Sequence, residues 1–217
     1  MSLLEIQNLY YSYDGGKTPV LKDVNFTFEK GMTYAIVGKS GAGKTTLLSL
    51  LSGLDTPTDG KILFDGMDIS KMDREKYRSR NIGVVFQNFN LLPHLTAMEN
   101  VILSIDVSGS KAKDKKKQAL DVLEKVELTE EKANRRILKL SGGEQQRVAI
   151  ARVLSYNPDI ILADEPTGNL DHETEMQVMR ILTDLAKNEN KCIIIVTHSQ
   201  GISKMVDVVY DLQVIKK

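Results

Sequence analysis

Cysteine is almost absent from this sequence, which has a single one, Cys192, among 217 residues. One thiol can form no internal disulfide, and a reducing compartment fits this composition. Cys192 begins an apolar run that continues through Val196. We therefore expect its side chain to pack in the core.

Net charge and long apolar runs are absent as well. Lys and Arg total 29, as do Asp and Glu, so the formal charge is +0 and no overall field draws the chain to nucleic acid. The longest apolar runs are about five residues, whereas a membrane-spanning helix needs about 20. No basic segment followed by an apolar stretch begins the chain, as a secretion signal would. We expect one sizeable cytoplasmic α/β domain and no nucleic-acid partner.

Local patterns predict strands of two kinds. Residues 4–28 combine alternating apolar positions with turn residues 14–16, which is typical of an antiparallel hairpin. Residues 34–37, 160–163 and 193–196 are short apolar runs of the kind found in parallel strands that are covered on both faces. The chain therefore reads as an antiparallel β lobe followed by a parallel α/β core.

Helical patterns fall between these strands. A leucine-rich helix is predicted over 44–51, and another from about 173 to 186. Within 106–127, apolar residues spaced by three and four form one stripe of a helix, and they are Ala119, Leu120, Leu123 and Val126. This stretch marks a helical insertion.

A glycine-rich loop follows the strand 34–37 and precedes the helix 44–51, and it matches the phosphate-binding pattern G-x-x-x-x-G-K-[ST]. Its residues are Gly38, Lys39, Ser40, Gly41, Ala42, Gly43, Lys44 and Thr45, with Thr46 next in the helix. In such loops, backbone N–H groups and a helix N-terminus surround the phosphates of a nucleotide. The lysine reaches the β and γ phosphates and the threonine hydroxyl ligates Mg²⁺. The loop by itself predicts binding of a nucleotide triphosphate with Mg²⁺, through Lys44 and Thr45.

Two adjacent carboxylates, Asp164 and Glu165, follow the apolar strand 160–163. Successive residues of a strand point in opposite directions, so Asp164 is available to hold Mg²⁺ while Glu165 polarises an attacking water as general base. The alternative is that two acids simply open a surface turn before Pro166. The phosphate-binding loop elsewhere in the chain favours the catalytic interpretation.

A third motif, Leu140 to Arg147, reads LSGGEQQR. Ser141 is a good helix cap, and the two glycines leave N–H groups open at a helix N-terminus, which makes a second anion site. The motif resembles the signature of ATP-binding-cassette (ABC) ATPases. The resemblance covers essentially the whole chain, and it implies that Ser141, Gly142, Gly143 and Glu144 read the γ-phosphate of ATP held by a second subunit. Two chains, either two copies or this chain and a paralogue, would then pair head to tail around two nucleotides.

The same resemblance gives roles to four further residues. Gln87 corresponds to the glutamine that senses Mg²⁺ and the attacking water, and His198 to the switch histidine at the γ-phosphate. Asp171 corresponds to the key acid of the loop that bridges the dimer. Tyr13 stands where an aromatic ring stacks on adenine, although strand packing is the alternative for this side chain.

The family fold implied is that of P-loop NTPases, with a mainly parallel RecA-like sheet, an N-terminal antiparallel β subdomain and an inserted α-helical subdomain. We predict a single ABC ATPase domain over 1–217. Residues of about 1–87 and 155–217 would form the ATP-binding core lobe, and residues of about 88–154 the helical subdomain with the signature motif.

Residues 86–101 and 163–171 resemble one branch of the family, which contains macrolide exporters, lipoprotein-release systems, antimicrobial-peptide resistance pumps and the cell-division ATPase. The resemblance implies an ATP hydrolase that powers export or extraction of a drug, peptide or lipoprotein through a separate integral membrane permease, bound at the inner face of the cell membrane. Four apolar residues after Gln87 would contact this permease or else pack within the small lobe: Phe89, Leu91, Leu92 and Leu95. The alternatives are a cell-division-type ATPase that signals through a membrane partner without transport, and a soluble ABC ATPase.

Overall fold

The computed structural model describes residues 2–14, 18–110 and 112–213. Within these ranges the strands are β1 (Leu4–Ser12), β2 (Pro19–Phe28), β3 (Thr33–Val37), β4 (Asp59–Phe64), β5 (Met67–Asp68), β6 (Ile82–Val85), β7 (Ile160–Asp164), β8 (Cys192–Thr197) and β9 (Val208–Asp211). The α-helices are α1 (Lys44–Leu51), α2 (Arg74–Arg80), α3 (Ala97–Val107), α4 (Lys115–Lys125), α5 (Glu130–Ala133), α6 (Gly142–Leu154), α7 (His172–Glu189) and α8 (Gln200–Ser203).

The first sheet is antiparallel and has the strand order β2-β1-β4-β5. Leu4, at the start of β1, pairs with Phe28 at the end of β2 and with Phe64 at the end of β4. The antiparallel pair predicted for residues 4–28 is therefore confirmed. The predicted turn of the hairpin falls largely on residues 15 and 16, which lie outside the described residues.

The second sheet is parallel and has the strand order β6-β7-β8-β3-β9. All three predicted parallel strands belong to it, and each is covered on both faces. In β8, for example, Ile193 and Ile195 pack into one apolar cluster with the helices α3 to α7, while Cys192 and Ile194 pack into another with the antiparallel sheet. Cys192 is fully buried, as predicted, and burial raises the pKa of its thiol.

The helices form where the apolar spacing predicts them. The helix α1 covers residues 44–51 as expected, and α7 extends the predicted 173–186 to His172–Glu189. Of the predicted stripe, Ala119, Leu123 and Val126 are buried, and Leu120 packs against them partly exposed. Helices α3 to α6, which we call the helical lobe, lie within 88–154; the domain boundaries proposed there stay a prediction. No helix in the described ranges is long and apolar enough to cross a membrane.

Candidate functional site

The parallel sheet places the predicted catalytic residues at the carboxyl ends of neighbouring strands. The glycine-rich loop follows β3, Asp164 ends β7 and His198 directly follows β8. Gln87 lies just beyond β6, which pairs with β7. Because the carboxyl ends of parallel strands meet at one edge, the structure gathers these groups into one site, at the edge where open α/β sheets bind ligands.

The backbone of the glycine-rich loop requires glycine at defined positions. Gly41 and Gly43 have φ of 80° and 91°, in the left-handed region. A Cβ added to Gly43 would also lie 2.8 Å from a side-chain atom of Leu21, so a larger residue does not fit there. No side chain caps the N-terminus of α1. The N–H groups of its first turn are therefore open to an anion.

Lys44 extends back over this loop. Its Nζ donates hydrogen bonds to the carbonyl oxygens of Gly38, at 2.8 Å, and of Lys39, at 3.3 Å. These two acceptors are neutral carbonyl groups and carry no charge that would offset an ammonium at this position. A polyphosphate bound there would meet both this ammonium and the open N–H groups of α1.

Thr45 and Asp164 provide two oxygen ligands of the kind that Mg²⁺ prefers. The hydroxyl of Thr45 lies 3.5 Å from Oδ2 of Asp164. Burial raises the pKa of the half-buried Asp164, and the neighbouring Glu165 carboxylate raises it further. An anion that its surroundings destabilise in this way is stabilised by a bound cation, so the residues present fit Mg²⁺. The described residues contain no group of three or more His, Cys, Asp and Glu side chains that could hold a metal ion. Mg²⁺ at this position would therefore complete its coordination with phosphate and water.

The carboxylate of Glu165 is held by the side chains of two consecutive residues, Thr197 at the end of β8 and His198 directly after it. Its Oε1 lies 2.7 Å from Nδ1 of His198, and its Oε2 accepts a hydrogen bond of 3.1 Å from the hydroxyl of Thr197. Glu165 adopts a left-handed backbone with φ of 45°, which is strained for a residue with a side chain. With this backbone conformation, the carboxylate of Glu165 reaches Thr197 at the end of β8 and His198 directly after it.

Gln87 is exposed and lies beside the loop that follows Glu165. A Cβ added to Gly168 would lie 2.9 Å from Nε2 of Gln87, and the amide of Gly168 donates to the carbonyl oxygen of Glu165 at 3.1 Å. The side chain of Gln87 is therefore close to the backbone that carries Glu165. Gly168 permits this approach because it has no side chain.

Tyr13 lies on the rim of the glycine-rich loop. Its ring is 73% exposed, and its hydroxyl is hydrogen-bonded to the hydroxyl of Thr46 over 2.8 Å. The edge of the buried Tyr11 supports it at a ring separation of 5.1 Å. The exposed face of the Tyr13 ring is therefore open to an aromatic base. Strand packing is the role of the buried Tyr11 instead.

The signature residues form a second group. Ser141 caps α6 by accepting from the amide of Glu144 at 3.3 Å, and Glu144 accepts from the amide of Ser141 at 2.9 Å. Lys132 forms an ion pair with Glu144 at 2.7 Å, which fixes this carboxylate. Among the described residues, no hydrogen bond joins this group to the glycine-rich loop. The chain thus has two separate glycine-containing helix starts, one at each motif.

Asp171 belongs to the second group. It caps α7 by accepting hydrogen bonds from the amide of Thr174, at 3.0 Å, and from its hydroxyl, at 2.8 Å. These bonds, the amide's first, lower the pKa of Asp171. The methyl group of Thr174 lies only 2.1 Å from where a Cβ on Gly143 would be. Thr174 therefore links the loop of Asp171 to the signature motif.

Sequence reasoning missed Thr197, which is fully buried and holds Glu165. A polar residue that ends an apolar strand directly before His198 was the available signal. It also missed the support that Tyr11 gives to Tyr13. The spacing of two residues was the available signal, because side chains two apart in an extended segment lie on the same face.

The fold and the site together define a P-loop nucleotide triphosphatase, with the predicted antiparallel subdomain and helical insertion. Residues 21–168 match the model of the ABC transporter family. The chain belongs to this family, as the ATP-binding subunit of a transporter. It is 48% identical over 208 residues to YclH, an ABC transporter ATP-binding protein of Bacillus subtilis (strain 168), covering 96% of this chain and 92% of YclH. It is 44% identical over 210 residues to LolD, the lipoprotein-releasing system ATP-binding protein of Legionella pneumophila (strain Paris), covering 94% and 92%.

Solved structures of ABC cassettes have the same fold as this chain. The dimeric bacterial ABC transporter cassette MJ0796 has a TM-score of 0.86 and 39% identity, covering 97% of this chain and 94% of that one. The same cassette has also been solved as a dimer in a post-hydrolysis state with ADP and Pi. CbiO1 of Clostridium perfringens, part of the ABC transporter complex CbiONQ, has a TM-score of 0.89 and 31% identity, covering 99% and 87%. The predictions of fold and ATP hydrolysis are confirmed. Cassettes of this family bind ATP and ADP, dimerise and work with membrane permease components.

Proposed function

We propose that this chain is the motor of an exporter or extractor, and that it hydrolyses MgATP in a head-to-tail dimer at the cytoplasmic face of a membrane permease. The observation that carries the proposal is the position of Glu165. Its carboxylate is fixed by His198 and Thr197 at the sheet edge that also holds the glycine-rich loop and Asp164.

Hydrolysis follows from this arrangement. Glu165 takes a proton from a water molecule while the water oxygen attacks the γ-phosphorus of ATP. The bond from this phosphorus to its bridging oxygen breaks, and ADP leaves with the electron pair. His198 keeps the carboxylate in place and lies at the strand end from which it reaches the γ-phosphate, and Gln87 orients the water from the opposite side.

Thr45, Asp164 and Gln87 are the residues that would hold Mg²⁺. When bound, the ion neutralises charge that develops on the phosphate oxygens. The raised pKa of Asp164 and its contact with Thr45 support this assignment.

A second copy or a paralogue completes the site in this proposal. Ser141, Gly142 and Gly143 form an anion-binding helix start that no hydrogen bond joins to the chain's own glycine-rich loop among the described residues. A head-to-tail pair would bring this surface to the γ-phosphate bound by the other chain. Asp171 would lie near the contact between the two chains, because Thr174 joins its loop to the signature motif.

The permease would dock on the helical lobe. Of the four apolar residues after Gln87, only Leu92 is exposed, at 38%, while Leu91 packs against the core and Phe89 and Leu95 are half-buried. Val107, 79% exposed, lines a cavity of about 410 Å³ together with Arg78 and Tyr156. The other lining residues are mainly polar, so Val107 is the apolar contact that a helix of the permease would make there. The similarity to LolD supports lipoprotein-type cargo within the wider set of drugs, peptides and lipoproteins.

The test is a pull-down from detergent-solubilised membranes with the Glu165→Gln chain loaded with ATP and Mg²⁺. We expect an integral membrane subunit to co-purify, and its outer domain would identify the class of cargo. Adding Val107→Asp should abolish the capture while leaving the ATP-bound dimer intact. Met67→Asp is the matched control, because Met67 is also exposed, at 59%, but lies on the antiparallel sheet. An intact dimer that captures no membrane protein would instead support an ATPase that acts without a permease.

A further inference from the structure

The backbone that follows Gln87 is strained. Phe89 and Asn90 are consecutive residues with φ of 57° and 50°, both in the left-handed region. Asparagine tolerates this region, but an aromatic residue does so at a cost. Such a conformation persists only where the surrounding structure imposes it. The contacts that impose it here come from the helical lobe.

Arg152 of α6 provides the first of these contacts. Its Nη1 donates to the carbonyl oxygen of Asn90, and its Nη2 donates to that of Phe89 at 3.2 Å. The rigid planar guanidinium thus joins the two strained residues in one fork. The helix α6 begins at the signature motif, directly after its cap Ser141.

Asn100 of α3 fixes the same segment further along. Its side-chain oxygen accepts from the amide of Leu92 at 2.9 Å, and its Nδ2 donates to the carbonyl oxygens of Leu92 and Thr96 at 3.2 and 2.9 Å. Asn100 is almost fully buried. Residues 89–92 are therefore tied to the helical lobe, and only residues 86–88 connect them to β6.

Gln87 lies within that short connection. Two residues of backbone span at most about 7 Å, so a displacement of Phe89 by a few ångströms is not absorbed before it reaches Gln87. A movement of α6 relative to the parallel sheet thus moves Gln87 towards or away from Glu165. Arg152 is the side chain through which α6 exerts this movement on the two strained residues.

We propose that Arg152 is a positioning residue for hydrolysis, which ties the loop of Gln87 to the signature helix so that Gln87 meets the attacking water only when that helix is in place. This inference rests on the role proposed for Gln87 above. In this role Arg152 acts through the backbone of Phe89 and Asn90, to which it donates, and not on the nucleotide itself. It makes hydrolysis depend on the position of the surface that receives the second subunit's ATP.

The test is a double-mutant cycle on ATP hydrolysis by the isolated chain, with Arg152→Met and Gln87→Ala, at protein concentrations where specific activity is constant. Arg152→Met should lower kcat about tenfold or more, with the KM for ATP within about twofold of the parent, because only positioning is lost. In the Gln87→Ala background the same change should lower kcat by less than about twofold, because both changes remove one interaction. Arg152→Lys keeps one donating nitrogen but loses the fork of the guanidinium, so it should recover part of the lost kcat.

Arg135→Met is the matched control. Arg135 also belongs to the helical lobe and pairs with Glu131 at the surface, so its kcat should match the parent. Melting temperatures show whether each variant folds. If Arg152→Met does not fold, Arg152→Lys replaces it in the double-mutant cycle. If the losses in kcat from the two changes multiply in the double variant, the inference about Arg152 is overturned and the role of Gln87 is not. An unchanged kcat for Gln87→Ala would overturn the role of Gln87 and this inference with it.

Discussion

Glu165 and His198 are separated by 33 positions in the chain, yet Oε1 of one and Nδ1 of the other lie 2.7 Å apart. When Glu165 is ionised, its carboxylate can only accept hydrogen bonds, so Nδ1 of the imidazole is then the donor of this pair. Thr197 donates to the other oxygen at 3.1 Å. Both oxygens of the carboxylate are thus oriented by side chains of the chain itself, which suits a general base that must meet one water molecule.

Replacement of this base should separate ATP binding from hydrolysis. We expect Glu165→Gln to lower kcat by roughly 100-fold or more, since general bases contribute about 10²–10⁴ in rate. ATP affinity should stay near that of the parent, and ATP should hold a stable dimer that size-exclusion chromatography detects. Glu173→Gln, a matched change at an exposed acid of α7, should behave as the parent. Hydrolysis by Glu165→Gln at the parent rate would remove Glu165 from the role of base.

The half-buried carboxylate of Asp164 should lower the stability of the metal-free protein. Its folded-state pKa is raised by burial and by Glu165 above the ordinary 3.8, so the folded state binds its proton more tightly than the unfolded state does. Stability is therefore lost as the pH rises from 3.8 through the raised pKa, and the full cost is present above that raised pKa. We expect Asp164→Asn to raise the melting temperature of the metal-free chain at pH 7.5, by a margin that shrinks as the pH falls. The same variant should lose most hydrolysis of MgATP. A lower melting temperature at pH 7.5 would contradict this account.

Replacing each of the two signature glycines by alanine should have a different effect, on stability at Gly143 and on dimerisation at Gly142. A Cβ on Gly143 would lie 2.1 Å from Cγ2 of Thr174, whose hydroxyl is held by Asp171, whereas a Cβ on Gly142 would meet nothing nearer than 3.5 Å. Gly143→Ala should therefore cost about 1–3 kcal/mol of unfolding free energy through overpacking. Gly142→Ala should keep the parent melting temperature but lose ATP-dependent dimers. Thr174→Ser removes the clashing methyl group and should restore the stability of Gly143→Ala. A double variant as unstable as Gly143→Ala would rule out this contact as the cause.

Tyr13 should contribute to nucleotide affinity through its ring. Stacking of a base on an aromatic side chain is worth about 1–3 kcal/mol, so Tyr13→Ala should weaken ATP binding roughly tenfold in calorimetric titration. Tyr13→Phe keeps the ring and loses only the bond to Thr46, so it should bind nearly as the parent does. Tyr10→Ala is the control on the same strand. Unchanged affinity for Tyr13→Ala would remove Tyr13 from the adenine-binding site.

Local sequence patterns determined the elements and motifs of this protein. The run 34–37, the glycine-rich loop and the helix 44–51 are contiguous, so each follows from its own residues. The apolar runs 160–163 and 193–196 likewise specify buried parallel strands before any contact is known. The family followed from the signature at Leu140 to Arg147. Every one of these signals acts over a few neighbouring residues.

Only the tertiary structure decided which of these residues meet. The strand order β6-β7-β8-β3-β9 differs from the chain order because β3 lies between β8 and β9, and it is this order that sets the glycine-rich loop after Val37 beside the strand end that carries Thr197 and His198. The bonds from Arg152 to Phe89 and Asn90, and the close approach of Thr174 to Gly143, join residues 30 or more positions apart. Such contacts depend on how sheets and helices pack, and packing depends on the shapes of all the elements together, which no local pattern contains.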